Sequence, residues 1–420
     1  MINWMLQIKK LDLIAQLILE MSKIIPSAAK LLASRAVTKA GILAPVAPKI
    51  RYSTKNEASI EIKPYKLHKL DKGPPTSSTI THKEALALYE KLVVLRRLET
   101  AASNMYKAKV IQGFCHLYLG EEAVAVGICS VMRPIDTVCG AYRCHGWTHL
   151  MGASELGVLA ELAGRKSGCG RGKGGSMHMY TPRLFGGNGI VGATGPLGAG
   201  IAFAHKYKGT GGVNFALYGD GSANQGQVHE AFNMAKLWVL PCIFLCENNG
   251  YGLGTAAKRS SASTEYYARG DYIPGIKADG MDVVATREVT KFAIDWCASG
   301  KGPIVVEFDT YRYTGHSMSD PGTSYRSREE VAEVRAKRDP ITSFKEKLLK
   351  AQLATAEQLK AIDSKVKKSI DAATKQAKAD AVIGPEELTA DIYYSCLEKE
   401  IRGTHPGAPR AHLALSKRAS

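Results

Sequence analysis

Apolar residues recur along this chain at two spacings, and the alternation between them predicts the fold. Thr81-His82-Lys83-Glu84 has the residues of a helix capping box. Leu88, Leu92 and Leu95 then share one face of a helix expected to run to about Lys109. A short helix should start near Glu121, and 137–141 reads as a strand ending at Tyr142-Arg143. A helix over 154–163 precedes a glycine-rich stretch, 164–200. The clearest unit follows. An apolar run at 213–218 ends in Gly219-Asp220-Gly221, 223–238 has helical spacing, and the apolar run 241–246 ends in Glu247-Asn248-Asn249. Strand, crossover helix and strand imply a parallel pair. Another strand is expected at 303–308. From Arg326 onward the pattern is helical and charged, broken at Asp339-Pro340 and restarted by a cap at Thr355 to Gln358. The fold class expected is α/β, a parallel sheet flanked by helices with a helical C-terminal extension. The division expected is 53–80 as an extended arm, 81–325 as the α/β domain, 326–402 as the helical part and 403–420 as a disordered tail.

Composition changes this picture little: of 420 residues, 45% are hydrophobic and 23% charged, an ordinary globular mix. No apolar run reaches the roughly 18 residues that span a bilayer, so no membrane insertion is expected. The net charge of +17 raises nucleic acid as a partner. The basic runs 335–338 and 365–368 fall on helical patterns, however, with no aromatic-plus-basic motif, so no nucleic-acid binding is expected. The nine cysteines lack paired spacing and read as reduced thiols. From Met21 to Asn56 there is Lys, Arg, Ser and Ala but no acid, as in a mitochondrial transit peptide. Arg51-Tyr52-Ser53 has the form of a matrix-protease cut site, so 1–52 is expected to be removed, with Met21 a second candidate start.

Two features could carry chemistry. Gly187 to Gly192 fits the dinucleotide pattern G-x-G-x-x-G, but 181–185 forms no convincing strand and no acid follows about twenty residues on, so that reading is rejected. Asp220 and Asn249 are different, because consecutive parallel strands place both at carboxyl ends, where ligands of open α/β sheets bind. Glycines flank Asp220, and the helix expected just after it would aim its amides at the same place. A carboxylate, an amide oxygen and a carbonyl near Tyr251 suit a hard cation bridging phosphate oxygens.

Gly219-Asp220-Gly221 and, after 26 intervening residues, Asn248-Asn249 resemble the thiamine-diphosphate motif. The context Gly-Asp-Gly-Ser-Ala-Asn-Gln-Gly-Gln narrows the likeness to α subunits of the 2-oxoacid dehydrogenases. It extends from about Lys63 to Arg338, and Gly113–Leu117, Ala141–Gly146, Lys173–Tyr180, Gly186–Gly192 and Thr310–Gly322 match the mitochondrial pyruvate dehydrogenase branch. The resemblance implies a thiamine-diphosphate-binding fold for 81–325. It implies Mg2+ on Asp220, Asn249 and the Tyr251 carbonyl. It implies cofactor contacts at Tyr142, Arg143, Gly189, Val191, Asp220, Gly221, Ser222, Asn249 and Tyr251, with Arg312 a further phosphate candidate.

His116 and His316 match the two active-site histidines. The implied reaction is decarboxylation of pyruvate and transfer of the two-carbon fragment to a lipoyl group on an acetyltransferase, leading to acetyl-CoA. No segment resembles the domain that supplies the cofactor-activating glutamate, so a separate β subunit is expected, in an α2β2 heterotetramer. Ser317 and Ser324 match phosphorylation sites, implying a pyruvate dehydrogenase kinase and phosphatase as partners. Ala256 occupies a third such site.

A branched-chain 2-oxoacid dehydrogenase α subunit is the nearest rival, but those carry Ser-Asp-Asp where this chain has Ser319-Asp320-Pro321-Gly322. A catalytically inactive regulatory subunit is a rival of another class, and retention of Asp220, Asn249, His116 and His316 argues against it.

Overall fold

The computed structural model describes residues 54–393, 400–401, 407 and 410–412. The expected transit segment 1–52, and 403–420 apart from the last four of those residues, lie outside them. Three strands come early: β1 (Glu57–Glu61), β2 (Lys66–His68) and β3 (Ser77–Thr81). The strands that follow are β4 (Thr137–Ala141), β5 (Leu184–Asn188), β6 (Asn214–Gly219), β7 (Cys242–Asn248), β8 (Tyr251–Gly252), β9 (Thr255–Ala256), β10 (Gly275–Asp279), β11 (Ile304–Asp309) and an antiparallel pair, β12 (Glu400–Ile401) with β13 (Arg410–Ala411). Seven of them form the central sheet in the order β2-β10-β11-β7-β6-β4-β5. Every pairing in it is parallel except β2 with β10.

Helices cover both faces, and the inner strands are accordingly mostly apolar and buried, β7 at all seven positions, Glu247 and Asn248 at its end included. Alternate residues serve two cores. Phe215, Leu217, Ile243, Leu245, Val306 and Phe308 point into one, while Ala216, Tyr218, Phe244 and Val305 point into the other. Helix α1 (His82–Lys107) starts from the expected reciprocal cap between Thr81 and Glu84. Helix α2 (Glu122–Cys129) is almost wholly apolar and buried. Helices α3 (His145–Leu150), α4 (Glu155–Leu162), α5 (Thr194–Lys208) and α6 (Gly226–Leu237) follow. Beyond the short α7 (Ala257–Ser260), α8 is Val283–Ala298. The C-terminal part contributes α9 (Arg328–Arg338), α10 (Pro340–Lys350) and α11 (Ala356–Ala379), the last packed on α1 and α4.

Several expectations need correction. The segment at 181–185 does enter a strand, β5, at the sheet edge. Its pairing with β4 supplies hydrogen bonds that the sequence Leu-Phe-Gly-Gly-Asn does not advertise through side chains. Strand β10 was not foreseen. The helix after Asp220 begins later than expected: Ser222–Asn224 form one 3-10 turn, Gln225 is extended, and α6 starts at Gly226. Of the basic runs read as solvated faces, Arg338 is instead paired to Asp279 and Asp309.

Two contacts fix how the layers meet. Arg96 of α1 bonds Glu122 of α2 and Asp339 at the start of α10, so one guanidinium ties three helices in a largely dry setting. Helix α5 lies so close to β6 that a Cβ on Gly198 would come 2.4 Å from the Ala216 Cβ. Outside this contact, α5 and the β5 edge leave Phe185, Ile190, Leu197, Phe203 and Tyr207 exposed. Gly198→Ala should push α5 off the strand that ends in Asp220 and cost about 1–3 kcal/mol, as overpacking of close layers does. Thermal unfolding would report this as a lowered midpoint, and an unchanged midpoint would contradict the packing argument.

Candidate active site

Four neighbouring strands, β11, β7, β6 and β4, end at one edge, and each is followed by a polar residue that the sequence singles out. Strand β4 gives way to Tyr142-Arg143, β6 to Asp220, β7 to Asn249 and β11, after a short run, to Arg312. The parallel register pairs Gly219 with Glu247 and Asp309 with Asn248, so these ends are level. Just above them the backbones of Gly221 and Gly252 nearly touch: a Cβ on Gly221 would lie 3.0 Å from the Gly252 Cα. Only glycine lets the turn after Asp220 meet the β8–β9 hairpin this closely.

Asp220 is 2% exposed, and its Oδ2 is buried without a hydrogen-bond partner among the described residues. Burial pushes its carboxyl up to about 6. Asn249 donates from Nδ2 to Glu121 Oε1 at 3.2 Å, and its Oδ1 accepts from the Tyr251 N–H at 3.3 Å. The Tyr251 carbonyl accepts a stretched contact from Arg312 Nη1 at 3.5 Å. Ser222 is buried beside them. Burial also raises Glu121, against the pull of Arg143 and Arg312. An orphaned, desolvated carboxylate oxygen next to amide and carbonyl oxygens is the situation that a bound divalent cation relieves. No group of three His, Cys, Asp or Glu side chains converges among the described residues. A cation here would therefore draw on Asp220, the Asn249 amide, the Tyr251 carbonyl and the oxygens of its ligand.

His116 and His316 meet although they come from distant segments. Their ring centroids are 5.1 Å apart, and the Tyr142 ring lies 4.8 Å from one and 5.4 Å from the other. The backbones are tied alongside each other, Tyr313 N–H to the Leu119 carbonyl at 3.0 Å and Met318 N–H to the Cys115 carbonyl at 2.9 Å. Arg143 clamps both segments, donating to the Leu117 carbonyl at 2.6 Å and the His316 carbonyl at 3.1 Å. Each histidine has a buried Nδ1 with no partner among the described residues. Burial, reinforced by the positive charge of Arg143, brings His116 down to about 3 and His316 down to about 4. Both rings are therefore neutral at physiological pH and free to accept or donate a hydrogen bond.

The loop bearing His316 is anchored by its own polar residues. Asp320 accepts from the His316 N–H at 2.6 Å, the Gly322 N–H at 2.8 Å and the Tyr325 hydroxyl at 2.6 Å. Arg326 donates to the carbonyls of Arg312 and Thr314 and lies over the rings of Tyr251, Tyr311 and Tyr325. Ser317 is buried, its hydroxyl 2.9 Å from that of Ser319, whereas Ser324 is exposed.

Gly189 and Val191 follow β5, whose last residue, Asn188, is level with Ala141 beside Tyr142. They lie beyond the end of β5 on the exposed rim, where the Val191 carbonyl accepts from Gln227 at 3.0 Å. Sequence reasoning passed over Glu121, which joins Asn249 to Arg143, and Glu247, which burial raises to about 8 and which bonds the Tyr118 hydroxyl. The available signal was an acid at the border of each apolar run: Glu121 stands just before the buried helix α2, and Glu247 follows the apolar part of β7.

Comparison with known proteins agrees with this arrangement. The sequence profile of the dehydrogenase E1 component family matches residues 90–386. A Caenorhabditis elegans protein named probable pyruvate dehydrogenase E1 component subunit alpha, mitochondrial, is 61% identical over 347 residues, covering 83% of this chain and 87% of that one. The type II mitochondrial E1 alpha subunit of Ascaris suum is 54% identical over 368 residues, 86% of this chain and 94% of its own. The human somatic form is 54% identical over 350 residues, 83% and 90% of the two chains. With a profile match over well over half its length and relatives above half identity along most of it, the chain belongs to the dehydrogenase E1 component family.

Proposed function

We propose that this chain is the α subunit of a mitochondrial pyruvate dehydrogenase E1 component. With a β subunit it decarboxylates pyruvate in the matrix and passes the acetyl group to a lipoyl group on an acyltransferase partner. The observation that carries the reading is the meeting of His116 and His316 across Tyr142, at the strand ends that hold Asp220 and Asn249.

Thiamine diphosphate, when bound, supplies the carbanion that attacks the 2-oxo carbon and takes up the electrons freed as carbon dioxide leaves. This chain's residues do the rest. Asp220, the Asn249 amide and the Tyr251 carbonyl would hold Mg2+, satisfying the orphaned Asp220 Oδ2. Arg143 and Arg312, with Gly221, Ser222 and Tyr142, line the diphosphate side, where permanent guanidinium charge suits phosphate. Gly189 and Val191 would meet the cofactor's ring end from the rim. The neutral His116 stabilises charge developing on the substrate, and the neutral His316 moves the proton needed during transfer to the lipoyl group.

The apolar surface on β5 and α5 supports a partner subunit there, and a partner is also needed for the carboxylate that activates the cofactor. Ser317 and Ser324 we assign as targets of a kinase and phosphatase. Ser324 is accessible as the loop stands, while Ser317 must leave its buried contact with Ser319 to react. A phosphate on Ser317 adds about −1.5 to −2 charge beside His316, where the hydroxyl now meets only that of Ser319 among the described residues.

Three outcomes test the reading. The chain alone should show no turnover, while the chain co-expressed with a β subunit should oxidise pyruvate in preference to branched-chain 2-oxoacids. Preference for the branched-chain acids would assign it to the other branch of the family. Asp220→Asn in the assembled protein should weaken magnesium-dependent thiamine diphosphate binding on the order of 100-fold, as loss of a first ligand to a hard cation does, while the heterotetramer persists. Calorimetric titration measures this, and wild-type affinity would remove Asp220 from the metal. Finally, stoichiometric phosphorylation of Ser317 should abolish pyruvate oxidation, and Ser317→Ala should make the enzyme resistant to a kinase acting there. Full activity in the Ser317-phosphorylated enzyme would refute the switch.

A further inference from the structure

Behind His116 a chain of buried polar groups leads away from the site. The His116 N–H donates to Ser176 Oγ at 3.1 Å. Ser176 Oγ is 2.7 Å from His145 Nε2, and His145 Nδ1 is 3.0 Å from Glu99 Oε2. Glu99, His145 and Ser176 are 0%, 1% and 6% exposed. Ser176 Oγ has one proton and two lone pairs, so it accepts from the His116 N–H and still pairs with His145 Nε2, whichever of the two donates, while His145 Nδ1 faces Glu99. Resting on the functional reading above, we infer that Ser176, His145 and Glu99 are positioning residues that set the aim of His116 through its backbone.

Three features point to positioning rather than to packing alone. The relay ends on the backbone of a histidine whose ring faces the site. That ring receives no hydrogen bond at Nδ1 from the described residues, so its aim rests on the backbone beneath it together with its ring contacts to Tyr142 and His316. The relay is also braced from both ends. Glu99 lies on the long helix α1, and His145 opens α3 two residues after Arg143, the residue that grips the Leu117 and His316 carbonyls. Ser176 itself is held by Cys144 Sγ, which donates to its carbonyl at 3.4 Å.

The glycine-rich stretch before Ser176 is shaped for this purpose. Glu161, fully buried, accepts from the N–H groups of Gly170, Gly172 and Gly174, each at 2.7 Å. The loop's amides thus close around a carboxylate of this chain, and the loop delivers Ser176 to His116. The Glu99–His145 pair in turn orients the ring so that Nε2 meets Ser176, as a carboxylate orients an imidazole in other relays. The donors and acceptors run unbroken from the His116 amide to Glu99, and such low-dielectric networks reinforce each member.

The test uses the chain assembled with its β subunit, as wild type, Ser176→Ala and Ser176→Thr. Deuterium exchange of a peptide covering 113–119, without cofactor, reads the His116 amide directly. Ser176→Ala should speed exchange of that one amide about tenfold or more, because its acceptor is gone while neighbouring helix amides keep theirs. In turnover, kcat should fall by roughly 10- to 100-fold, the range expected when a catalytic group is misplaced by about 1 Å, while the KM for thiamine diphosphate stays within about twofold. Ser176→Thr, which keeps the hydroxyl, should restore both. Unchanged exchange and kcat in Ser176→Ala, or losses that threonine does not restore, overturn the inference. Should Ser176→Ala not assemble, His145→Asn, whose amide reaches Glu99 but not Ser176, must show the same faster exchange, and wild-type exchange there also overturns it. A wild-type tetramer inactive on pyruvate would instead refute the functional reading, and the exchange result would still decide the relay.

Discussion

The Arg143 guanidinium stands where β4 ends and donates to carbonyls on two segments far apart in sequence, one carrying His116 and the other His316. Its Nε also faces Glu121 at 3.7 Å, a carboxylate that in turn holds the amide of Asn249. One cation therefore joins the histidine pair to the strand-end cluster, in an environment dry enough that each partner depends on the others. The charge that makes Arg143 a suitable neighbour for phosphate is also the charge that helps keep both histidines neutral. On the proposed reading, binding and proton chemistry are thus set by the same group.

The parts of this arrangement that were legible in sequence are those where a side-chain pattern and a backbone event coincide. Asp220 and Asn249 could be placed because apolar strands end immediately before them, and the caps at Thr81 and Thr355 because reciprocal capping uses fixed residue types at fixed spacing. Strand β5 was not legible. Its identity comes from pairing with β4, and two of its five residues are glycines. The late start of α6 was hidden because Gln225 has no intrinsic reason to be extended, and its conformation belongs to the turn above Asp220. Glu121 and Glu247 were hidden for another reason. Their importance lies in partners that come from elsewhere in the chain, and spacing along the sequence carries no trace of Arg143, Asn249 or Tyr118.

The loop from Tyr311 to Arg328 shows how a segment without helix or strand can still hold a histidine in place. Asp320 folds the turn around His316 through three short hydrogen bonds, and Arg326 fills the space between three tyrosine rings. Glu330, at the start of α9, accepts from both Tyr251 and Tyr311 and so links the loop's far end to the hairpin over Asp220. These contacts are polar, local and individually modest, so an added charge can undo them without disturbing the sheet below.

The β5 end of the sheet has a consequence outside chemistry. Strand β5 has a sheet partner on one side only, and Phe185, Ile190, Leu197, Phe203 and Tyr207 lie bare around it. A strand edge with apolar neighbours adheres to whatever surface it meets first. Copies made in excess of their partner would present this surface to one another. On the reading that the partner subunit covers this face, supply of the two polypeptides in step keeps it hidden, and surplus copies are the ones expected to reach chaperones and proteases first.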